Sequence, residues 1–243
     1  MRKELVKTDN YERFKSGITA VERRGAPEAS LLLVVGDPGM SKSIIVNRWA
    51  IENKAVYLRA KVNWSPNKMM RELAADLRID GSSAEIFGRV VAAIARLQVP
   101  IVIDEVQHCF ANGAKTLEAV RDISDLTETL VVLVAGEERV QAKMARYPQI
   151  ASRIAYIVEF APASEADVSK ACAQLCEIEV AQDLRDEIKR QSGGRMRFAI
   201  NAIAEVEREG RRMGKKRVAL ADFAGKVLVY DWQAQRRRAP RGV

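Results

Sequence analysis

The 243-residue sequence predicts an α/β protein: a doubly wound, parallel five-stranded sheet followed by a small C-terminal all-helical module. Three observations predict it. Apolar runs of strand length alternate with stretches of 3.6-residue periodicity, as in a parallel sheet with crossover helices. A glycine-containing loop joins the most apolar of those runs to a helix. After Phe160 only helical periodicity remains.

The strands are expected at Leu31–Val35, 56–60, 101–103, 130–134 and 155–160. The first helix, 44–53, follows the glycine-containing loop. Ser65 and Pro66 open the next, 67–78, with Ser at the N-cap and Pro at the first helical position. Ser83 leads into 84–98, and Gly113 precedes Lys115–Thr127. Ala161-Pro162 then breaks the chain, and Ser164 with Asp167 forms a capping box that starts a helix reaching about residue 177. Further helices are expected at 181–191, 196–211 and 220–229. These elements divide the chain into an α/β domain at 1–160, a helical module at 161–230 and a basic tail at 231–243.

Composition excludes several classes. A hydrophobic fraction of 48% with 30% charged residues is ordinary globular usage, far from disordered or collagen-like chains. The N-terminal run MRKELVKTDNYERFK has no apolar core, so no secretory signal is expected. The longest apolar runs are strand-length, well below the roughly 20 residues a membrane span needs, and no membrane partner is expected. Three Cys cannot all pair, which suits a reducing cytoplasm. With one His a zinc site is not expected, and Cys172 and Cys176 read as a packed helix face. The net charge of +8 is confined to one end: residues 1–207 are balanced, while 208–243 hold 11 basic and 3 acidic side chains. A balanced body with a basic end suits a polyanion or an acidic protein surface.

The strongest chemical signal is Gly36-Asp37-Pro38-Gly39-Met40-Ser41-Lys42-Ser43. Between an apolar strand and a helix, G-x-x-x-x-G-K-[ST] forms a phosphate cradle, with Lys on the β/γ oxygens and a hydroxyl on Mg²⁺. Lys42 and Ser43 suit those roles, and Ile44 begins the helix that faces the phosphates. Ser41 stands where the pattern has its last Gly. A Cβ there costs roughly 1–3 kcal/mol if the loop keeps its shape, so slow turnover is expected. The second signal is the strand end Ile103-Asp104-Glu105: Asp104 is expected in the Mg²⁺ shell, and Glu105 as the group that polarises the attacking water. His108, just beyond, reads as structural. Tyr11 and Phe14 pack beside an adenine or fill core.

On the GDPGMSKS loop, the IVIDEVQHCF segment and the run KTLEAVRDISDLTETLVVLVAGEERV, the chain resembles the AAA+ ATPases. More closely it resembles the B-type target-selection ATPases of Mu-like transposable phages and related transposon regulators, over about residues 8–230. The resemblance implies a P-loop AAA+ fold with a helical lid, ATP and Mg²⁺ as cofactors, and a cytoplasmic protein of a bacterial or phage-infected cell. It places an arginine finger, acting in trans, at Arg153, with Arg146 as the alternative. The lid's nucleotide-sensing arginine falls at Arg197, with Arg195 as the alternative. The strand-end polar sensor is either missing at Ala135-Gly136 or supplied by Glu137. Lys61, Asn63, Trp64 and Lys68, after the second strand, would touch DNA phosphates, with a solvated loop and a packed Trp64 as the alternative. Arg211–Arg217 and Arg236–Arg238 would meet DNA or a transposase, or simply solvate the tail.

The implied protein binds duplex DNA without sequence preference, assembles with its own copies into a ring or helical filament, and presents target DNA to a transposase. The residues leave room for two other readings: a replication helper, and a nucleotide-binding scaffold whose hydrolysis is impaired.

Overall fold

A computed structural model describes residues 1–111, 113–136 and 139–230. They form two compact units: Asn10–Ala161, and Met1–Asp9 together with the chain from Pro162 onward.

The first unit holds the sheet. Its strands are β1 (Leu31–Val35), β2 (Val56–Arg59), β3 (Ile101–Asp104), β4 (Val131–Val134) and β5 (Ile154–Glu159), in the spatial order β2-β3-β4-β1-β5. Every pairing is parallel. This is the expected five-stranded doubly wound sheet. The inner strands β1, β3 and β4 are buried along their whole length, which explains their unbroken Val/Ile/Leu sequences: a parallel strand covered on both faces has no polar side to alternate. At the edges, β2 and β5 mix buried and exposed residues. The Asp104 strand does not lie beside the strand that feeds the phosphate loop, because β4 is inserted between β3 and β1.

Seven helices accompany the described part of this sheet: α1 (Asp9–Glu22), α2 (Lys42–Glu52), α3 (Pro66–Asp76), α4 (Ser83–Leu97), α5 (Lys115–Thr127), and the short α6 (Arg139–Met144) and α7 (Pro148–Ala151). Ser65 caps α3 as expected, accepting from the Lys68 N–H at 3.3 Å. The cap of α4 is Ser82, one residue earlier than the sequence suggested: Glu85 of the first turn reaches back to the Ser82 N–H at 3.1 Å. Helix α1 was not anticipated. It buries Phe14, Ile18 and Val21, spaced at helical intervals along one stripe. Phe14 meets Trp49 of α2 edge-on, ring centroids 5.8 Å apart, so it fills core.

The second unit packs α8 (Glu165–Leu175), α9 (Gln182–Ser192) and α10 (Met196–Arg212) around an apolar core. The Ser164/Asp167 capping box is present, both bonds at 3.1 Å. Two expectations need correction. The module is not wholly helical, since β6 (Glu179–Val180) and β7 (Arg217–Val218) pair in parallel; two-residue strands are too short to show alternation. The expected helix at 220–229 is only a 3-10 turn, Leu220–Phe223, anchored by buried Phe223 and ended before Gly225, whose φ is +74°. The N-terminal segment joins this unit: the Arg2 N–H donates to Leu175 O at 2.8 Å, and Lys170 Nζ to Lys7 O at 2.8 Å. All three Cys are buried free thiols, and burial pushes those of Cys109 and Cys172 up to about 12. Among the described residues no helix is long and apolar enough to cross a membrane. The tail 231–243, with Arg236–Arg238, and Glu137 lie outside the described residues.

Candidate functional site

The loop between β1 and α2 is shaped by its sequence. Gly36 has a φ of +145°, and a Cβ there would lie 2.7 Å from the Phe160 carbonyl oxygen, so only glycine lets the chain leave β1 this way. Ser41 adopts the left-handed conformation, φ 66° and ψ 18°, at the N-cap of α2. The loop therefore keeps the turn that the missing glycine would have made, and the serine carries the strain. Lys42, 7% exposed, folds back into the loop: its Nζ donates to the carbonyls of Gly36 and Asp37, the latter at 2.8 Å. Gly39 is half-buried and Met40 buried, while Asp37, Pro38, Ser43 and Ile44 are exposed at the mouth. A buried ammonium ringed by carbonyls, beneath the N-terminus of an 11-residue helix, is a basic concavity suited to phosphate oxygens.

At the end of β3, Asp104 is 4% exposed, and both of its oxygens are engaged. Oδ1 accepts the Glu105 N–H at 2.8 Å, and Oδ2 accepts the Tyr57 hydroxyl at 2.6 Å. Burial first, and then the bond to Asp104, raise the Tyr57 phenol well above its ordinary value, so it remains a donor. The Ser43 side chain faces the same phenol. Tyr57 thus lies beside the loop serine and is hydrogen-bonded to the Asp104 carboxylate, although β4 separates their strands.

Glu105 leaves β3 in the left-handed conformation, φ 57° and ψ 41°, a rare state for a non-glycine residue. Its carboxylate is held twice: Oε1 accepts from Arg59 at 3.0 Å, and Oε2 from Gln107 Nε2. Arg59 reaches it because the β2–β3 register sets Arg59 opposite Asp104. Its hydrogen bond with Glu105 raises the Arg59 guanidinium further into its charged range. Gln107 Oε1 in turn accepts the Gly136 N–H at 3.2 Å. The end of β4 therefore meets the Glu105 cluster through backbone at Gly136, where sequence reasoning sought a polar side chain. His108 sits half-buried on the 3-10 turn Val106–Phe110.

The donors around Asp104 are all oxygens: a carboxylate, the Ser43 hydroxyl and the Tyr57 phenol. Among the described residues no group of three or more His, Cys, Asp and Glu could cage a metal. One carboxylate and a hydroxyl beside a phosphate cradle fit Mg²⁺, which favours oxygen ligands and takes the rest from phosphates and water. Asp104 and Ser43 would hold it, and Lys42 would engage the phosphates.

The remaining expected residues are scattered. Trp64 requires correction: it is 3% exposed and belongs to the sheet's core cluster, so its ring is closed to DNA. An indole between β2 and α3 buries more apolar area inward than an outward pose would use. Lys61, Asn63 and Lys68 are exposed; Lys61 pairs with Glu72 at 2.8 Å, and Lys68 Nζ donates to Asn63 O at 3.3 Å. Arg153 is gripped within its own chain, Nε and a terminal nitrogen each 3.1 Å from the two oxygens of Asp125, and that hydrogen bonding raises its guanidinium further. Arg146 is exposed and makes no ion pair among the described residues. In the second unit Arg197 is exposed in the first turn of α10, and Arg195 stands at the N-cap position of that helix, its guanidinium 5.7 Å from the Phe198 ring. Sequence reasoning missed Tyr57, Gln107 and Asp125. For Tyr57 the signal was available: it lies two residues before Arg59 on the same strand, and so on the same face.

Residues 26–144 match the family described as AAA domain. No curated protein matches the chain in sequence. Among solved structures, the chain is similar to Cdc6p from Pyrobaculum aerophilum, with a TM-score of 0.63 and 15% identity over 92% of this chain and 66% of that one. It is similar to the ORC1 protein of Aeropyrum pernix in complex with DNA, TM-score 0.61 and 17% identity over 86% and 61%. It is also similar to the RuvB Holliday junction branch migration motor of Thermotoga maritima, TM-score 0.60 and 15% identity over 88% and 66%. The chain thus spans 61–66% of the length of these structures, and at such identities the likeness is one of fold. Residues 26–144 thus match the AAA domain family, and the β2-β3-β4-β1-β5 sheet with the loop leading into α2 is the P-loop AAA+ fold.

Proposed function

We propose that this chain is an ATP-dependent, DNA-binding ATPase that assembles with its own copies on duplex DNA and presents target DNA to a transposase. The observation that carries the nucleotide half is a loop that keeps its turn at Ser41 and folds Lys42 onto its own carbonyls, with Asp104 held by Tyr57 and Glu105 by Arg59 at the end of β3. Lys42 would exchange two loop carbonyls for phosphate oxygens, and the N-terminus of α2 would add its dipole. Bound Mg²⁺ would neutralise charge building up on the phosphates. Glu105, once released from Arg59, would orient and deprotonate the attacking water. Arg153 would act on a neighbour's nucleotide only after leaving Asp125; Arg146 competes for that role from an exposed position. Arg197, with Arg195 as alternative, would sense the nucleotide.

The DNA half rests on the exposed Lys61, Asn63 and Lys68 and on the basic C-terminal residues, side chains suited to phosphate contact without base reading. The balanced charge of residues 1–207 makes one copy a weak DNA binder, so repetition along an assembly supplies the affinity. Transposase delivery rests on the sequence resemblance. A second reading, a replication helper, draws support from the fold likeness to an ORC1 protein solved on DNA. The test is duplex-DNA binding and sedimentation with ATP, with ADP and without nucleotide, followed by affinity capture against purified transposase and helicase. ATP-dependent assembly on DNA is expected. Equal binding by a monomer in all three conditions overturns the mechanism, and capture of helicase alone selects the second reading.

A further inference from the structure

Tyr57 has no role in the motifs, yet it makes the contact that closes the cluster. Its half-buried ring lies on β2, and its hydroxyl spans from Asp104 Oδ2, 2.6 Å away, toward the Ser43 side chain. A phenol has one proton to give and lone pairs to accept with. Each Asp104 oxygen already takes one hydrogen bond, which leaves each a second lone-pair direction. A serine hydroxyl that ligates a cation must send its proton elsewhere. We propose that Tyr57 is a positioning residue for the divalent cation: it accepts a hydrogen bond from the Ser43 hydroxyl and donates one to Asp104, leaving the Ser43 lone pairs and one side of the carboxylate turned to the ion. The inference rests on the reading of this cluster as a Mg²⁺–nucleotide site. It assigns the task to a side chain on an edge strand, outside both the loop and β3.

Removing a partner that orients a metal ligand costs about 10- to 100-fold in metal affinity, and this partner acts on both ligands. The experiment titrates Mg²⁺ into the full chain with a fluorescent ATP analogue, reading binding rather than turnover. It uses wild type, Tyr57→Phe, Asp104→Asn and the double variant, with thermal midpoints recorded alongside. For Tyr57→Phe the half-saturating Mg²⁺ should rise about tenfold, while analogue affinity in EDTA stays at the wild-type value. Adding Tyr57→Phe to Asp104→Asn should produce a smaller rise than in the wild-type background, since only the Ser43 half of the role is left to lose. Tyr57→His, an aromatic that keeps a donor, is the second variant should Tyr57→Phe fail to fold, and is expected within about threefold of wild type. An unchanged Mg²⁺ requirement in folded Tyr57→Phe, or an equal rise in the Asp104→Asn background, overturns the inference and leaves the nucleotide site standing. Wild type that binds no analogue at any Mg²⁺ concentration removes the proposed function and this inference together.

Discussion

The carboxyl end of β3 and the connection from β2 to α3 are neighbours on one sheet, and both were read from sequence as functional. At the end of β3 the polar atoms are buried or clasped: Asp104 by Tyr57 and the Glu105 N–H, Glu105 by Arg59 and Gln107. In the β2–α3 connection the cations stand in solvent and the aromatic has turned inward. A residue at the end of a buried parallel strand has little choice of direction, because the register decides it. A residue in a loop is directed by whatever surface is free to receive it, and Trp64 found the core.

The sharpest way to break this contrast is at Trp64. If it is a core residue, Trp64→Ala should cost about 3–5 kcal/mol of stability, read as a fall in thermal or denaturant midpoint. Lys61→Ala, a few residues away, should stay within about 0.5 kcal/mol, since its pair with Glu72 is a surface one. A Trp64→Ala protein of wild-type stability that has lost DNA binding would restore the outward reading.

At the end of β3 the effects should fall on chemistry and not on folding. Glu105→Gln keeps the shape of the side chain but cannot take a proton, so hydrolysis should fall about 10²- to 10⁴-fold with analogue binding intact. Arg59→Ala should act in the opposite direction. The ion pair at 3.0 Å has a largely exposed arginine, so it is worth at most about 1 kcal/mol, and freeing Glu105 from it should raise turnover by up to about fivefold. Steady-state phosphate release measures both. Turnover lost on Arg59→Ala would mean that Arg59 contacts the nucleotide instead of restraining Glu105.

How much was legible follows the same line. The five strands, the α2 loop and the placement of Lys42 and Asp104 were readable because continuous apolar runs and a glycine at a close approach each have one physical solution. The insertion of β4 between β1 and β3 was not, since strand order depends on crossovers that local periodicity does not encode. Nor were the long-range partners. Arg59 was read as part of the second strand, yet its register opposite Asp104 aims it at Glu105. Arg153 was read as reaching outward, but Asp125, on α5 and 28 residues earlier, grips it. Charge was visible in the sequence, whereas which opposite charge lies within hydrogen-bonding reach was not.

The DNA reading of the exposed cations is sharpened by salt. Each phosphate contact contributes about 0.9 to the slope of log affinity against log salt concentration on duplex DNA. Lys61→Ala with Lys68→Ala should therefore lower that slope by about two per protomer if both touch phosphate, as filter binding across a salt series would show. An unchanged slope would assign these lysines to the surface of the domain and leave DNA contact to the basic C-terminal residues.

The smallest expected effect bears on the loop itself. Ser41 holds a left-handed conformation that costs an L-residue about 1–2 kcal/mol. Glycine would remove that strain but add unfolded-chain entropy of about 0.4–1 kcal/mol. Ser41→Gly should then stabilise the protein by about 0–1.6 kcal/mol, a small rise in thermal midpoint without nucleotide. Its effect on turnover is the more telling measurement. The serine Cβ sits in the loop that wraps Lys42, so relieving it eases the approach of backbone N–H groups to phosphate. If Glu105 is a working base, Ser41→Gly should tighten nucleotide and change hydrolysis only modestly. If wild type hydrolyses no faster than Glu105→Gln and Ser41→Gly restores turnover, the chain is a nucleotide-binding scaffold whose restraint lies in the strained turn.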